Sequence, residues 1–176
     1  MRRNIVLIGM MGAGKTAVGS ELARRLQLPF RDIDVEIERA AAMTIPEIFA
    51  RDGEEFFRAR ESEVLARVMA DGPGIVSTGG GAWMREENRR SVAENGISVW
   101  LDGDLETLWQ RVRQRPTRPL LQTGQPKATL ERLLNERNPV YALADLRIEA
   151  QRRDTVSASA QRVLDAIRAT YPEVLK

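Results

Sequence analysis

The sequence has 176 residues, 43% of them hydrophobic, which is enough chain and apolar surface for one compact domain. Its 27 basic and 25 acidic residues leave a net charge of only +2 without a block of like charge, so the composition argues against a nucleic-acid partner. Cysteine and histidine are absent, which excludes disulfides, thiol nucleophiles, Ser-His couples and His/Cys zinc sites. Any catalytic base must therefore be a carboxylate, a lysine or a tyrosine.

The N-terminal residues resemble the start of a secretory signal only superficially. Arg2 and Arg3 precede an apolar run that begins at Ile5, but residues 12–16 break this run after a few positions. The sequence has no apolar stretch that approaches the roughly 20 residues needed to span a bilayer. We therefore expect a cytoplasmic protein without a membrane partner.

The first part of the chain predicts a strand, a helix and a second strand. Residues 5–8 form a short apolar run that ends in glycine, as in a parallel strand buried on both faces. A helix is predicted from Gly14 and should end before Pro29. The core face of this helix would consist of Val18, Leu22 and Leu26. Residues 30–34 then predict the second strand.

The middle of the chain predicts two helices followed by two strands. Thr44 and Glu47 fit a capping box, so a short helix should run toward Gly53, with a longer helix from about 54 to 69. Residues 75–78 and 97–101 are typical of buried strands. The segment between them should be helical and end near residues 95–96, an Asn-Gly pair.

The last part predicts a helix capped by Asp104, a loop, a fifth strand and a final helix. Residues 115–127 contain three prolines and one glycine without periodicity, which favours a mobile loop. Residues 146–149 are the candidate fifth strand, and the final helix should begin near Ser157. This alternation predicts one α/β domain over residues 1–176, with a parallel sheet between two helical layers and ligands at the carboxyl ends of the strands.

The motif GxxxxGKT occupies residues 9–16, between the first strand and the first helix. Its glycine-rich backbone, including Gly12, Ala13 and Gly14, offers N–H groups to phosphates. Lys15 would neutralise charge on the β- and γ-phosphates, and the Thr16 hydroxyl would bind Mg²⁺. The motif therefore predicts a nucleotide site for ATP with Mg²⁺.

Two aspartates, Asp32 and Asp34, follow at the predicted carboxyl end of the second strand. Strand periodicity would put both carboxylates on one face. Beside a bound triphosphate, one would hold a metal-bound water and the other would accept the proton of an attacking hydroxyl. The alternative is a solvated strand end with aspartates that cap a helix.

A glycine run, Gly79, Gly80 and Gly81, follows the third strand. Its backbone can approach a ligand closely and offer N–H donors to a γ-phosphate or a polar substrate. A flexible loop is the alternative interpretation of this run.

Several arginines are candidates to bind anions. Arg58 and Glu61 share a helix face at i,i+3, so the acid could orient the guanidinium, although a surface salt bridge has the same pattern. Arg118 lies in the Pro-rich segment and Arg137 precedes an Asn-Pro pair. Each of these arginines is also compatible with a solvated surface position.

Taken together, these motifs resemble the shikimate kinase family, in the same order and over nearly the whole chain. The matching features are GxxxxGKT, Asp32 and Asp34, the pattern Gly53-Glu54 with Phe57-Arg58 and Glu61, the triple glycine, Arg118-Pro119-Leu120-Leu121, and Arg137 with Pro139 and Tyr141. The resemblance implies a fold of the P-loop NTPase type, related to nucleoside monophosphate kinases, with strand order 2-3-1-4-5. It also implies a substrate-binding region over about residues 33–61 and a closing lid over about residues 112–127.

The resemblance further implies roles for individual residues. Asp34 would bind the shikimate hydroxyls and act as base, while Asp32 would hold Mg²⁺ through water. Arg58 and Arg137 would bind the substrate carboxylate. The glycine run 79–81 would contact the substrate and the γ-phosphate.

The implied nucleotide site extends beyond the phosphate-binding motif. Residues 12–17, including Ala17, would hold the phosphates, and Arg118 would reach them from the lid. Arg111 and Arg153 would flank the adenine. The sequence departs from the family in two places: a strand that often ends in Asp-Thr reads Ile148-Glu149-Ala150, and the short lid carries an added Pro116.

The leading prediction is a monomeric kinase that transfers the γ-phosphoryl group of ATP to the 3-hydroxyl of shikimate. A gluconate-type kinase is the first alternative, because it shares the phosphate loop and an anionic polyol substrate. A nucleotide-binding regulator with low turnover is the second. The arginine pair and the Arg118 segment favour shikimate, and a regulator would have no need of a carboxylate clamp.

Overall fold

The computed structural model describes residues 3–114 and 124–176. Five strands are present in the described chain: β1 (Asn4–Ile8), β2 (Phe30–Asp32), β3 (Ile75–Ser77), β4 (Gly96–Asp102) and β5 (Leu146–Glu149). The helices are α1 (Lys15–Leu26), α2 (Ile33–Ala41), α3 (Ile45–Ala70), α4 (Glu86–Asn95), α5 (Leu105–Val112), α6 (Pro126–Tyr141) and α7 (Val156–Thr170). Short 3₁₀ helices lie at Ala82–Met84 and Pro172–Leu175.

The sheet is parallel, with strand order β2-β3-β1-β4-β5, which confirms the predicted fold class. The central strand β1 pairs with β3 through Ile5 and Ile75, and with β4 through Ile5 and Ile97. All residues of β1 are buried, as its unbroken apolar run predicts. The carboxyl ends of β2, β3 and β1 therefore lie side by side at one edge of the sheet.

Helices cover both faces of the sheet. Helices α1 and α7 pack together, whereas α3 packs on α4 and α5 packs on α6. Right-handed crossovers put α1 and α3 on opposite faces, because the chain leaves β1 in one direction and returns from β2 in the other. Ligands of such sheets bind at the point where the chain changes direction, here next to β1 and β3.

The predicted caps hold these helices in place. Thr44 and Glu47 exchange two hydrogen bonds of 3.3 Å as a capping box at the start of α3. Asp104 accepts the N–H of Thr107 at 2.7 Å at the start of α5. Gly53 has φ of 83° and ψ of 173°, which kinks α3 and confirms the predicted division into two helical pieces.

One predicted boundary was wrong. The second strand ends at Asp32 and not at residue 34, because Asp32 begins helix α2 as its cap. Its Oδ1 accepts the N–H groups of Asp34 and Val35 at 2.9 and 3.4 Å. Asp34 thus lies in the first helical turn, and strand periodicity does not explain its position.

Helix α6 was also not predicted. Residues 126 and 127 were assigned to the loop and the lid, but Pro126 is the first residue of α6 and suits that position because it needs no N–H partner there. Residues 115–123 of the predicted lid, including Arg118, lie outside the described residues. Within residues 3–114 and 124–176, no helix is both long enough and apolar enough to cross a bilayer.

Candidate active site

A cleft of about 430 Å³ opens at the carboxyl ends of β1, β2 and β3. It is lined by the phosphate loop, both aspartates and the first two glycines of the glycine run, with Arg111 and Gln114 at one side. A cavity of about 490 Å³ between α2 and α3 is slightly larger, but its walls are mainly apolar and its arginines Arg51, Arg60 and Arg67 already pair with carboxylates. Convergent polar groups therefore mark the first cleft as the candidate active site.

The phosphate loop connects β1 to α1 in a tight curl. Gly12 and Gly14 both have positive φ, 83° and 93°, which explains glycine at these positions. The Lys15 ammonium donates to the carbonyl oxygens of Gly9 and Met10 at 2.6 and 3.0 Å, so it lies over the loop. The N-terminus of α1 and the lysine together form an anion site.

The two aspartates hold different positions beside this loop. The Thr16 hydroxyl donates to Asp32 Oδ2 at 3.2 Å, so a hydroxyl and a carboxylate oxygen are adjacent where the phosphate loop meets β2. Oxygen ligands of this type are the ones that Mg²⁺ prefers. Asp34, two residues further along the chain, also lines the cleft and lies next to Gly79 of the glycine run.

The glycine run is the meeting point of the charged side chains. A Cβ atom on Gly79 would lie 2.9 Å from Asp34 Oδ1, and a Cβ atom on Gly80 would lie 2.9 Å from Arg137 Nη1. On Gly81 it would collide with the guanidinium of Arg58. A side chain at any of the three positions would displace a charged group, because Asp34, Arg137 and Arg58 approach the same stretch of backbone.

Arg58 is held in place by its own helix. Its Nη1 donates to Glu61 Oε1 at 2.9 Å, and its guanidinium carbon lies 5.2 Å from the centre of the Phe57 ring. Its side chain is 11% exposed and that of Glu61 is fully buried. The predicted role of Glu61 in orienting Arg58 agrees with this contact, which is not a solvated surface pair.

Burial raises the pKa of Glu61. The positive charge of Arg58 and its hydrogen bond lower the pKa but do not cancel the effect of burial, and the nearby Asp34 carboxylate raises the pKa further. Glu61 Oε2 has no hydrogen-bond partner among the described residues. Arg58 therefore donates the hydrogen bond to a buried carboxylate that also lies near Asp34 and Arg137.

Arg137 reaches the same place from α6. It is 7% exposed, and its Nη1 lies 4.0 Å from the sulfur of Met10. One turn further on, the hydroxyl of the fully buried Tyr141 donates to the Gly80 carbonyl. Sequence analysis named Tyr141 as part of a pattern but gave it no role.

A second cavity of about 260 Å³ adjoins the cleft on the far side of the phosphate loop. Gly14, Ala17 and Arg111 line it, and Arg111 Nη1 donates to the Gly12 carbonyl at 3.1 Å. Asp154 and Arg162 also line it. They are paired with each other, and sequence analysis missed them. Arg153 is exposed in the neighbouring turn, so its contact with adenine remains a prediction.

Comparison with known proteins agrees with this geometry. A family model described as shikimate kinase matches residues 11–168. A shikimate kinase of Cereibacter sphaeroides is 58% identical over the whole chain and 87% of the relative's length. A shikimate kinase of Ruegeria pomeroyi is 52% identical over the whole chain and 90% of its own length.

Solved structures show the same relationship. Shikimate kinase from Acinetobacter baumannii in complex with shikimate superposes with a TM-score of 0.93 at 40% identity, covering 97% of this chain and 96% of the other. Shikimate kinase from Aquifex aeolicus gives a TM-score of 0.81 at 32% identity over 96% and 97% of the two chains. Because the family model matches residues 11–168 and a relative is 58% identical over the whole chain, the chain belongs to the shikimate kinase family.

Proposed function

We propose that this kinase transfers the γ-phosphoryl group of ATP to the 3-hydroxyl of shikimate, giving shikimate 3-phosphate and ADP. The observation that carries the proposal is the convergence of Asp34, Arg58 and Arg137 on the glycine run, beside the phosphate loop. A base and two guanidiniums next to a phosphate site suit an acceptor that has both a hydroxyl and a carboxylate. The shikimate bound to the Acinetobacter relative supports this choice of acceptor.

On the donor side, the backbone N–H groups of residues 12–17 would hold the triphosphate. Lys15 would exchange its contacts with the loop carbonyls for the β- and γ-phosphates, where it neutralises charge. Arg118 reaching the phosphates, and Arg111 and Arg153 flanking the adenine, remain predictions. Arg111 is already fixed against Gly12, which favours its role.

Thr16 and Asp32 fit Mg²⁺, with Asp32 acting through water. Their oxygens are neighbours, and Mg²⁺ in kinases needs only one or two protein oxygens besides phosphates and water. When bound, the ion neutralises charge on the phosphates.

On the acceptor side, Arg58 and Arg137 would bind the carboxylate by charge-assisted hydrogen bonds. This contact would place the 3-hydroxyl toward Asp34. The hydroxyl oxygen forms the new bond to phosphorus, its proton passes to the Asp34 carboxylate, and the bond from the γ-phosphorus to the bridging oxygen breaks to release ADP.

A coupled ADP-release assay tests the function directly. We expect turnover with shikimate and only background rates with gluconate, AMP or no acceptor. Asp34→Asn should lower the chemical rate by roughly 10²- to 10⁴-fold, as expected for loss of a general base, while ATP binding persists. Equal turnover with gluconate would reject the acceptor assignment. Loss of ATP affinity with normal turnover would make Asp34 a metal residue.

We also propose that the kinase acts as a monomer. One chain supplies every group of the proposed acceptor site, so the site is complete without a second copy. Sedimentation of the active enzyme at assay concentration should give the mass of one chain. A dimer that loses activity on dilution would contradict this.

A further inference from the structure

Tyr141 occupies a point where three parts of the candidate site meet. Its hydroxyl donates to the carbonyl oxygen of Gly80 in the glycine run. The sulfur of Met10, in the phosphate loop, lies 3.7 Å from the same hydroxyl and 4.0 Å from Arg137 Nη1. Arg137 also acts on the hydroxyl through its charge and hydrogen bonding. One buried hydroxyl therefore contacts the phosphate loop, the glycine run and the arginine of α6.

The surrounding contacts keep α6 against the glycine run. Arg137 and Tyr141 are four residues apart and share one face of the helix. The Tyr141 ring lies 5.8 Å from the ring of Trp100 on β4. In the 3₁₀ helix that follows the glycines, Trp83 Nε1 donates to the Val140 carbonyl at 2.9 Å. The last turn of α6 is thus tied at Tyr141 to the glycine run and at Val140 to the 3₁₀ helix that follows it.

The hydrogen bond from Tyr141 also fixes a direction in the backbone. The Gly80 carbonyl and the Gly81 N–H belong to one planar peptide and point in opposite directions. A run of three glycines has little conformational preference of its own, so this peptide could rotate without a tether. Holding the carbonyl against α6 aims the Gly81 N–H away from Tyr141.

We propose that Tyr141 is a positioning residue for the acceptor site, which holds the Gly80–Gly81 peptide and the Arg137 guanidinium in one fixed arrangement. The proposal rests on the proposed function, in which Arg137 and the glycine run contact the acceptor. Tyr141 acts through these two partners and does not contact the reacting atoms.

The ionisation of Tyr141 agrees with a permanent donor. Burial raises the pKa of its hydroxyl to about 12, against the opposing effect of Arg137. The hydroxyl therefore keeps its proton at neutral pH and donates it to Gly80 throughout the working range. A role as general base is excluded for the same reason.

The test is Tyr141→Phe, which keeps the ring beside Trp100 and removes only the hydroxyl. A buried carbonyl then loses its donor, and we expect the KM for shikimate to rise about tenfold. The KM for ATP should stay within about twofold of the parent. Assays are run below the thermal transition of each variant. Tyr171→Phe is the matched control, because this half-buried tyrosine lies at the end of α7, away from the cleft.

Arg137→Ala separates this proposal from the proposed function. If Arg137→Ala leaves the KM for shikimate unchanged, the acceptor site itself is wrong and the role of Tyr141 falls with it. If it raises that KM, adding Tyr141→Phe to Arg137→Ala should increase the KM for shikimate by a clearly smaller factor than Tyr141→Phe does in the parent. Two results would overturn the positioning role. One is that the KM increases of Tyr141→Phe and Arg137→Ala multiply fully in the double variant. The other is that Tyr141→Phe lowers the Tm and leaves both KM values unchanged.

Discussion

Arg58 illustrates how a single side chain is oriented from several sides. Glu61 fixes one guanidinium nitrogen, the Phe57 ring covers one face, and the Gly81 backbone limits the opposite side. Its second terminal nitrogen, Nη2, lies 3.5 Å from the carboxylate of Glu54 on the same helix. An arginine held in this way can offer the planar fork that a carboxylate accepts, which a lysine cannot.

Arg58→Lys should therefore raise the KM for shikimate although the charge is kept. An arginine–carboxylate contact in a dry pocket contributes on the order of 1.5–3 kcal/mol, so we expect a roughly ten- to hundredfold increase. The KM for ATP should barely change. Steady-state kinetics with each substrate varied in turn measure both values.

Arg60→Lys is the matched control for this substitution. Arg60 lies on the same helix, half exposed and paired with Glu63 at 2.8 Å, so its replacement should leave both KM values unchanged. The methyl ester of shikimate should bind poorly to the parent. The KM increase for the ester combined with Arg58→Lys should be smaller than the product of the two separate increases, because both changes break the same contact. An ester that is phosphorylated as well as the acid would show that Arg58 has another task.

Glu61 should make stability depend on pH in an unusual direction. Its pKa in the folded protein is raised above the ordinary carboxyl value, so the favourable contribution of its protonated form is present at low pH. That contribution is lost as the pH rises through the folded pKa. The Glu61→Gln variant lacks this titration. Its free energy of unfolding should therefore rise relative to that of the parent as the pH increases from 4 to 7.

Urea unfolding of the parent and Glu61→Gln across this pH range measures the difference. Glu63→Gln, which replaces an exposed acid on the same helix, serves as the control and should show no such trend. A difference between the parent and Glu61→Gln that moves the opposite way with pH would mean that Arg58 lowers the pKa by more than burial raises it.

Among the elements, those with a clear local signal were predicted, whereas helices α2 and α6 were missed. The apolar run of β1, the capping box at Thr44 and the Asp104 cap each follow from a few adjacent residues, and all three are present. Helix α2 was missed because the apolar and acidic residues after Asp32 also fit a strand. The alternative interpretation, in which an aspartate caps a helix, is the one that Asp32 follows, with acids in the first turn of α2.

Helix α6 was missed for a different reason. Pro139 lies inside it, and a proline in a helix interior normally argues against a helix. The repeat of Leu130, Leu134 and Tyr141 on its buried face could have indicated it. The contact of Tyr141 with Gly80 could not be predicted, since it joins residues 61 positions apart.

The kink in α3 at Gly53 is an element with a testable consequence. Its backbone has positive φ with extended ψ, a region open essentially to glycine, and no atom outside its neighbours lies within 4 Å of a Cβ there. Gly53→Ala should therefore cost about 1–3 kcal/mol through backbone strain alone. Because the piece of α3 after the kink carries Arg58, we also expect a higher KM for shikimate.

Gly72→Ala is the control for Gly53→Ala, because Gly72 also has positive φ and open surroundings but precedes β3, away from Arg58. It should lower stability without changing the KM. Urea unfolding and steady-state kinetics separate the two effects. Equal KM values in both variants would show that the kink does not position Arg58.

At the scale of the whole molecule, one cleft is expected to hold two anions. The segments that follow β1, β2 and β3 line it, and Arg137 of α6 approaches the glycine run. The net charge of the chain is only +2, so the attraction for anions comes from where the charges lie. Lys15 and Arg111 lie by the phosphate loop, whereas Arg58 and Arg137 lie by the glycine run.

This separation predicts that each ligand stabilises the fold through its own residues. A ligand at 100 times its Kd adds about 2.7 kcal/mol to the free energy of unfolding, which corresponds to a rise in Tm of roughly 5–11 °C at this chain length. We expect such a rise with shikimate alone and with a non-hydrolysable ATP analogue plus Mg²⁺. Gluconate at the same concentration should leave the Tm unchanged.

Arg58→Lys should reduce the Tm shift caused by shikimate and leave the shift caused by the nucleotide analogue unchanged. A tenfold weaker Kd removes about 1.4 kcal/mol of the stabilisation by shikimate at the same concentration, because mass action depends only on the ratio of ligand to Kd. The response to the nucleotide analogue should be unchanged, since the phosphate loop and Arg111 are untouched. Thermal unfolding of the parent, Arg58→Lys and Arg60→Lys with each ligand measures all of these shifts. If Arg58→Lys kept the full Tm shift with shikimate, or lost the shift with the nucleotide analogue, Arg58 would not belong to a shikimate site separate from the nucleotide site.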